Sequence, residues 1–373
     1  MLRLFFIITS FSLGGGAEGL LAVIMNTLYD TGNYYIGMME LIHANVKREK
    51  IREGIKVYPY YTDVDAPDRQ KRMYYVFHEW DKVIKDYIPD DYDVYISFNY
   101  LRPTFLLPPN KKSISWIHGD VYDLVNRYPN QAKDLSEERE LQRKSFRNVD
   151  RILAISDNTK QSLEDVFPEY VDKISLLPNG VDVNRIRRMA EEHTSVLLEG
   201  FPIVFIGRLD HNKNPLRALR IIQKLLGLRG DARLYFLGYG ALEQELRVEI
   251  KKRRLEDFVS LLGYYDNPFP IIRQASLTIM TSYSEGFPMA LLESVALGVP
   301  FVSTIVGGSR MLCKNSNVGA VFRDDDEAVN EILRFANTEP NVIKRACENV
   351  ISEYDLPDYI RRVERVINEV FHS

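Results

Sequence analysis

Apolar residues in this chain fall in short runs separated by amphipathic stretches, and the runs recur at regular intervals. Leu4–Thr9 is a continuous apolar run, suited to a parallel strand covered on both faces. A Gly14-Gly15-Gly16 loop leads from it into a helix expected from Glu18 to about Leu28. Weaker strands are expected near Ile36–Ile42 and Ile55–Tyr58. Met73, Val76, Phe77, Trp80, Val83 and Ile84 recur at helical spacing, which predicts one helix over Arg69–Tyr87. Asp93–Phe98, Ser113–Ile117, Ile152–Ile155 and Ile174–Leu177 read as further strands, with a charged helix over Lys133–Asn148.

Asn179-Gly180-Val181-Asp182 is turn chemistry, and Arg185–Leu198 reads as a charged connection. A second alternation follows. Strands are expected at Ile203–Ile206, Arg233–Leu237, Val259–Leu262, Leu277–Thr281 and Phe301–Thr304. Helices are expected at Pro215–Leu226, Leu242–Arg253, around Pro270–Gln274, and at Pro288–Leu297. A last helix, Asp358–Phe371, carries Ile360, Val363, Val366, Ile367 and Val370 on one stripe. Strand–helix alternation predicts parallel sheets with right-handed crossovers, and two such blocks predict two Rossmann-like α/β domains. The expected boundaries are 1–182, 200–355 and a terminal helix over 356–373.

Composition narrows this picture. A chain of 373 residues is too long for one ordinary core. A net charge of −4 gives no bulk attraction to nucleic acid. Two cysteines, Cys313 and Cys347, suit a reducing, cytoplasmic setting and cannot make a metal site alone. Leu2–Leu13 looks superficially like a signal peptide. With Arg3 as its only positive residue and a glycine loop behind it, it reads instead as a buried first strand.

The candidate chemistry lies at strand ends, where doubly wound folds bind ligands. Gly15 and Gly16 leave the backbone free to approach a phosphate or sugar, or simply make a tight turn. Arg208 follows the strand Ile203–Ile206, Lys213 lies five residues later, before the helix that starts at Pro215, and the two fit a diphosphate clamp; solvated loop charges are the alternative. His118 follows the strand Ser113–Ile117. Glu285 and Glu293 bracket the turn Gly286-Phe287-Pro288, where proline suits a first helical position. Glu293 then falls among Leu291, Leu292, Val295 and Ala296, an unusual place for a carboxylate that binds nothing.

The segment Ser284–Glu293 resembles the Glu-seven residues-Glu signature of the retaining glycosyltransferases of family 4. Gly14–Glu18, Trp116–Asp120, Ala154–Asn158, Leu177–Asp182, Ile206–Leu209 with Lys213–Pro215, and Gly238–Gly240 resemble the same family in order, so the likeness covers nearly the whole chain. It implies the GT-B fold, with two facing Rossmann-like domains, a cleft between them and the terminal helix crossing back onto the first. Domain 1–182 would bind the acceptor, and domain 200–355 the donor. The implied donor is a nucleotide diphosphate sugar, a UDP-hexose or UDP-N-acetylhexosamine, used as substrate with no cofactor and no metal. The implied acceptor is a saccharide or lipid-linked saccharide in capsule, exopolysaccharide or lipopolysaccharide synthesis. Peripheral contact with the inner face of the membrane would follow.

By the same resemblance Arg208 and Lys213 neutralise the leaving diphosphate, and Glu285 faces the transferred sugar. The Gly286 and Phe287 N–H groups lie near sugar hydroxyls, His118 meets the donor sugar, and Glu293 accepts from the ribose. Where a common family form has Arg after the loop Glu, this chain has Gly19. The patterns Asp63-Val64-Asp65, Asp91-Tyr92-Asp93 and Asp324-Asp325-Asp326 read as structural rather than metal-binding, the last as a helix cap. A sugar-nucleotide 2-epimerase of the same fold, and a non-catalytic sugar-nucleotide-binding partner, stand as alternatives.

Overall fold

The computed structural model describes residues 1–12, 15–43, 50–58, 60, 62–63, 71, 75, 78–99, 102–121 and 132–373, without the side chains of 62–63 and 132–138. The chain divides into two compact units, Met1–Asn179 with Pro357–Ser373, and Gly180–Leu356.

The first unit is built on a seven-stranded sheet. Its spatial order is Lys56–Tyr58, Tyr34–Glu40, Leu2–Ile8, Val94–Phe98, Lys112–Ile117, Arg151–Ala154 and Ile174–Leu176. All neighbours are parallel. The near-continuous apolar strands follow from this, since both faces of the sheet are covered. The chain first builds outward on one side of Leu2–Ile8 and then on the other, so the order reverses beside that strand. Phe5 packs its ring against Tyr92 at 5.0 Å and Tyr58 at 5.2 Å. The helix Leu356–His372 buries Tyr359, Ile360, Val363, Ile367 and Val370. Its Tyr359 ring lies 6.5 Å from that of Trp116, and Tyr34 donates to Glu364 at 3.1 Å.

The second unit holds a six-stranded parallel sheet in the order Val259–Gly263, Ala232–Leu237, Phe201–Ile206, Leu277–Met280, Phe301–Thr304 and Gly319–Phe322. Here the order reverses between Phe201–Ile206 and Leu277–Met280. The helix Pro215–Leu226 has the bounds its proline and apolar stripe predict. Val181, at the start of this unit, bridges Asp355 near its end.

Several expectations need correction. Glu79 interrupts the helix expected over Arg69–Tyr87: Lys71, Tyr75 and His78 are helical, Glu79 has φ −130° and ψ 46°, and a helix resumes over Trp80–Tyr87, while residues 69–70, 72–74 and 76–77 lie outside the described residues. The connection Arg185–Leu198 begins as a helix, Val183–Met189, which buries Val183 and Ile186 and is capped by Asp182 accepting from the Arg185 N–H. Pro288 is the cap rather than the first residue of Met289–Ala296. Strand Gly319–Phe322 and helix Pro340–Ile351 complete the second unit beyond the expected elements. Asp324 caps the helix Asp325–Ala336, accepting from the N–H groups of Asp326 and Glu327. Asp93 accepts from the Arg3 N–H and Asp91 pairs with the Arg3 guanidinium, both structural roles. The pattern at 63–65 lies outside the described side chains.

Gly238 has φ +142°, and a Cβ there would stand 2.0 Å from the Gly207 carbonyl oxygen. Gly238→Ala should therefore cost the second unit about 2–4 kcal/mol in urea unfolding, since backbone strain and a backbone clash add. Gly230, with open space around its missing Cβ, should accept alanine within about 0.5 kcal/mol.

Candidate functional site

In a doubly wound sheet the two loops at the order reversal diverge to opposite faces and leave a crevice between them. In the second unit those loops are Gly207–Asn214, after Phe201–Ile206, and Thr281–Pro288, after Leu277–Met280. Lys213 stands in the first and Glu285 in the second. Lys213 Nζ donates to Glu285 Oε1 at 2.6 Å, with 19% and 12% of the two side chains exposed.

Both loops are tied down by their own side chains. Asp210 Oδ1 accepts from the Lys213 N–H at 2.9 Å, and Asp210 Oδ2 accepts from Arg208 Nε at 2.8 Å. Burial works to raise the Asp210 carboxyl, but the Lys213 N–H and the Arg208 guanidinium outweigh it and hold its pKa below the usual carboxylate value. Arg208 meets Asp210 through Nε and is 75% exposed, which leaves its terminal nitrogens accessible. Asn212 Nδ2 donates to the Ser284 carbonyl, and the Asn212 carbonyl accepts from the Tyr283 N–H, stitching one loop to the other. Thr281 Oγ1 donates to the Lys213 and Asn214 carbonyls.

The Glu285–Phe287 segment is packed from behind. A Cβ on Gly307 would meet the Glu285 carbonyl oxygen at 2.4 Å, and one on Gly308 would meet the Phe287 ring at 2.4 Å. Phe287 is buried, with its ring 6.0 Å from Tyr354. Its side chain is thus an anchor, and any ligand contact from Gly286 and Phe287 comes from the backbone. Asp210, Asn212, Thr281, Gly307 and Gly308 were not singled out from sequence. The Gly-Gly pair behind strand Phe301–Thr304 and the Asp three residues before Lys213 were the available signals.

Glu293 stands on the helix Met289–Ala296, whose Leu291, Leu292, Val295 and Ala296 are buried. Among the described residues no hydrogen bond or ion pair holds its carboxyl. Burial raises its pKa to about 7, against the opposing charge of Arg185. The site therefore holds a carboxyl with unused acceptor capacity and one with a lysine partner.

In the first unit, His118 follows Lys112–Ile117 and Gly15 precedes the helix Gly16–Asp30, both at the carboxyl end of the sheet. The His118 ring lies 4.0 Å from Phe98 and 5.9 Å from Trp116. Its Nε2 is shielded from solvent and has no hydrogen-bond partner among the described residues. Burial lowers its pKa to about 3, so the imidazole is neutral near pH 7. It offers a ligand a neutral donor or acceptor rather than a positive charge. Gly15 has an extended backbone, and a Cβ there would meet Glu18 Oε2 at 2.6 Å. Among the described residues no group of three or more His, Cys, Asp or Glu is placed to hold a metal ion. Among them, too, no helix is long and apolar enough to cross a membrane. The basic run at 251–254 is partly spent within its own helix, where Lys252 and Arg253 both pair with Glu249.

Two outcomes follow from these environments. Lys213→Met strands a shielded carboxylate and should destabilise the second unit by about 1–3 kcal/mol, whereas Lys213→Met with Glu285→Gln should recover most of that loss in urea unfolding. A carboxyl whose pKa is raised on folding stabilises fully below its ordinary value, and that contribution is lost as pH rises through the folded value. Wild-type melting temperature should thus fall between about pH 5 and 8 relative to Glu293→Gln, and identical pH profiles would refute the raised value.

A family model described as Glycosyltransferase Family 4 matches residues 42–185, and one described as Glycosyl transferases group 1 matches residues 193–351. An N-acetylgalactosamine-N,N'-diacetylbacillosaminyl-diphospho-undecaprenol 4-alpha-N-acetylgalactosaminyltransferase of Campylobacter jejuni is 31% identical over 52% of this chain and 53% of its own. A UDP-Gal:alpha-D-GlcNAc-diphosphoundecaprenol alpha-1,3-galactosyltransferase of Escherichia coli is 26% identical over 53% and 54%. The chain spans about half the length of the curated relatives it matches. Anabaena HepE, solved in complex with UDP and glucose, shares the fold with a TM-score of 0.73 over 99% of this chain and 100% of that one, at 14% identity. With one family model on each parallel α/β unit and solved likenesses along its full length, the chain belongs to the GT-B glycosyltransferases of family 4.

Proposed function

We propose that this chain is a retaining hexosyltransferase that needs no metal or cofactor. It would move a sugar from a UDP-hexose or UDP-N-acetylhexosamine to a saccharide or lipid-linked saccharide during cell-surface polysaccharide synthesis. The observation that carries this reading is the Lys213–Glu285 pair at the order reversal, with Arg208 exposed beside it and Glu293, which has no hydrogen-bond partner among the described residues, on the next helix. The relatives whose names specify diphosphoundecaprenol-linked acceptors support the lipid-linked class.

In this reading the donor's diphosphate lies against Arg208 and Lys213, drawing Lys213 toward the phosphate oxygens. Glu285, released in part, orients the hydroxyls of the transferred sugar. Backbone N–H groups of Gly286 and Phe287 contribute there, and Gly15 and Gly16 give the backbone close approach from the first unit. Glu293 accepts from the ribose hydroxyls, which favours its ionised form. His118, neutral, positions the sugar by hydrogen bonding. The acceptor hydroxyl attacks the anomeric carbon on the face that the diphosphate leaves. The carbon–oxygen bond to the phosphate breaks, and a phosphate oxygen takes the hydroxyl proton. The products are a glycoside of unchanged anomeric configuration and a nucleoside diphosphate. A carboxylate held by lysine suits sugar orientation better than nucleophilic attack. Charge-stabilising donors preorganised around the leaving group supply the rate.

Binding of a UDP-sugar should raise the melting temperature of the full chain. Arg208→Ala should weaken nucleoside diphosphate binding by about 1.5–3 kcal/mol in calorimetry. Turnover should survive chelator, and the product's anomeric proton coupling should match that of an α-linked donor. A β-linked product, or activity abolished by chelator and restored by manganese, would overturn the reading.

A further inference from the structure

We propose that Ser309 is a positioning residue: its buried hydroxyl closes the turn that backs the glutamate loop and so aims the Gly286 and Phe287 N–H groups. A Cβ on Gly307 would meet the carbonyl oxygen of Glu285 at 2.4 Å and that of Gly286 at 2.6 Å. Both carbonyls therefore face Gly307. A trans peptide is planar and carries its N–H opposite its C=O, and no peptide among the described residues is cis. The N–H groups of Gly286 and Phe287 belong to those same two peptides, so they face away from Gly307. Neither has a hydrogen-bond partner among the described residues. Two successive peptides thus present two unspent donors on one side, an arrangement that receives a ligand oxygen.

The aim of that pair depends on where Gly307 stands. Gly307 has φ +43° and is followed by Gly308, and glycines hold no conformation of their own, so this turn keeps its place only through its flanks. Ser309 supplies the constraint. It is fully buried, and its Oγ accepts from the Val306 N–H at 3.1 Å and donates to the Thr304 carbonyl at 3.3 Å. Its own N–H donates to the Val306 carbonyl at 2.9 Å, so bonds close the turn on both sides of Gly307. Without the hydroxyl, the Val306 N–H would be left buried and unpaired. Thr304 Oγ1 in turn donates to the Ser282 carbonyl at 2.7 Å, which ties the root of this turn to the root of the glutamate loop. Ser309 acts through Gly307 and touches no substrate. That a ligand oxygen meets the N–H pair rests on the function proposed above.

Ser309→Ala and Ser309→Thr test this in the full chain, the second keeping the hydroxyl. Ser309→Cys, which keeps the volume but accepts only weakly, replaces the alanine variant if that one does not fold. Amide NMR of the ligand-free protein reads the turn and the N–H pair directly. Hydrogen exchange at Val306 should quicken in Ser309→Ala, and the order parameters of the Gly286 and Phe287 amides should fall from above about 0.8 to below about 0.6. Both should stay near wild type in Ser309→Thr. Calorimetry with UDP, UDP-glucose and UDP-N-acetylglucosamine reads the consequence. The sugar nucleotide that binds should weaken about tenfold in Ser309→Ala, while UDP, which has no sugar for the N–H pair to hold, stays within about twofold. Unchanged order parameters in Ser309→Ala, or equal losses for UDP and the sugar nucleotide, would overturn the positioning role. Lowered order parameters in a protein that binds neither sugar nucleotide would uphold that role and sink only the donor reading.

Discussion

The contact between Lys213 Nζ and Glu285 Oε1 joins residues 72 positions apart in the second unit. Two constraints produce it. The strand order reverses between Phe201–Ile206 and Leu277–Met280, which places their two loops side by side. Asp210, Asn212 and Thr281 then use hydrogen bonds to fix the path of each loop. A largely buried Lys–Glu pair gains little net stability once desolvation is counted. Its value lies in leaving a cation and a carboxylate poised, each able to exchange its partner for a ligand group.

Burial decides the other two titratable candidates, and in opposite senses. It raises the Glu293 carboxyl to about 7 and lowers the His118 imidazole to about 3. In both cases the neutral form gains. A ligand that donates hydrogen bonds to Glu293 would pull it back toward the anion, so the binding of such a ligand and ionisation would be coupled there. His118 remains a neutral imidazole throughout the physiological range, which suits hydrogen bonding better than stabilisation of negative charge.

The glycines divide between the same two tasks. Gly307 and Gly308 admit the Glu285–Phe287 segment at distances that a side chain would block. A Cβ on Gly15 would meet Glu18 Oε2 at 2.6 Å.

Local pattern carried much of this molecule. Apolar runs marked the strands because a sheet covered on both faces needs them, and the helix Pro215–Leu226 was readable to the residue from its proline and stripe. The motif residues Arg208, Lys213, Glu285 and Glu293 were legible by type and spacing. The break at Glu79 was not, because apolar spacing continues through it while the backbone does not. The helix Val183–Met189 was hidden by its charges, although Asp182 three residues before Arg185 was a readable cap. What no local pattern contains is strand order. Only the tertiary structure set Lys213 against Glu285 and Gly307 behind the glutamate loop. Only it shifted the Glu293 and His118 pKa values. Each of these depends on neighbours far away in sequence and on how completely they exclude water.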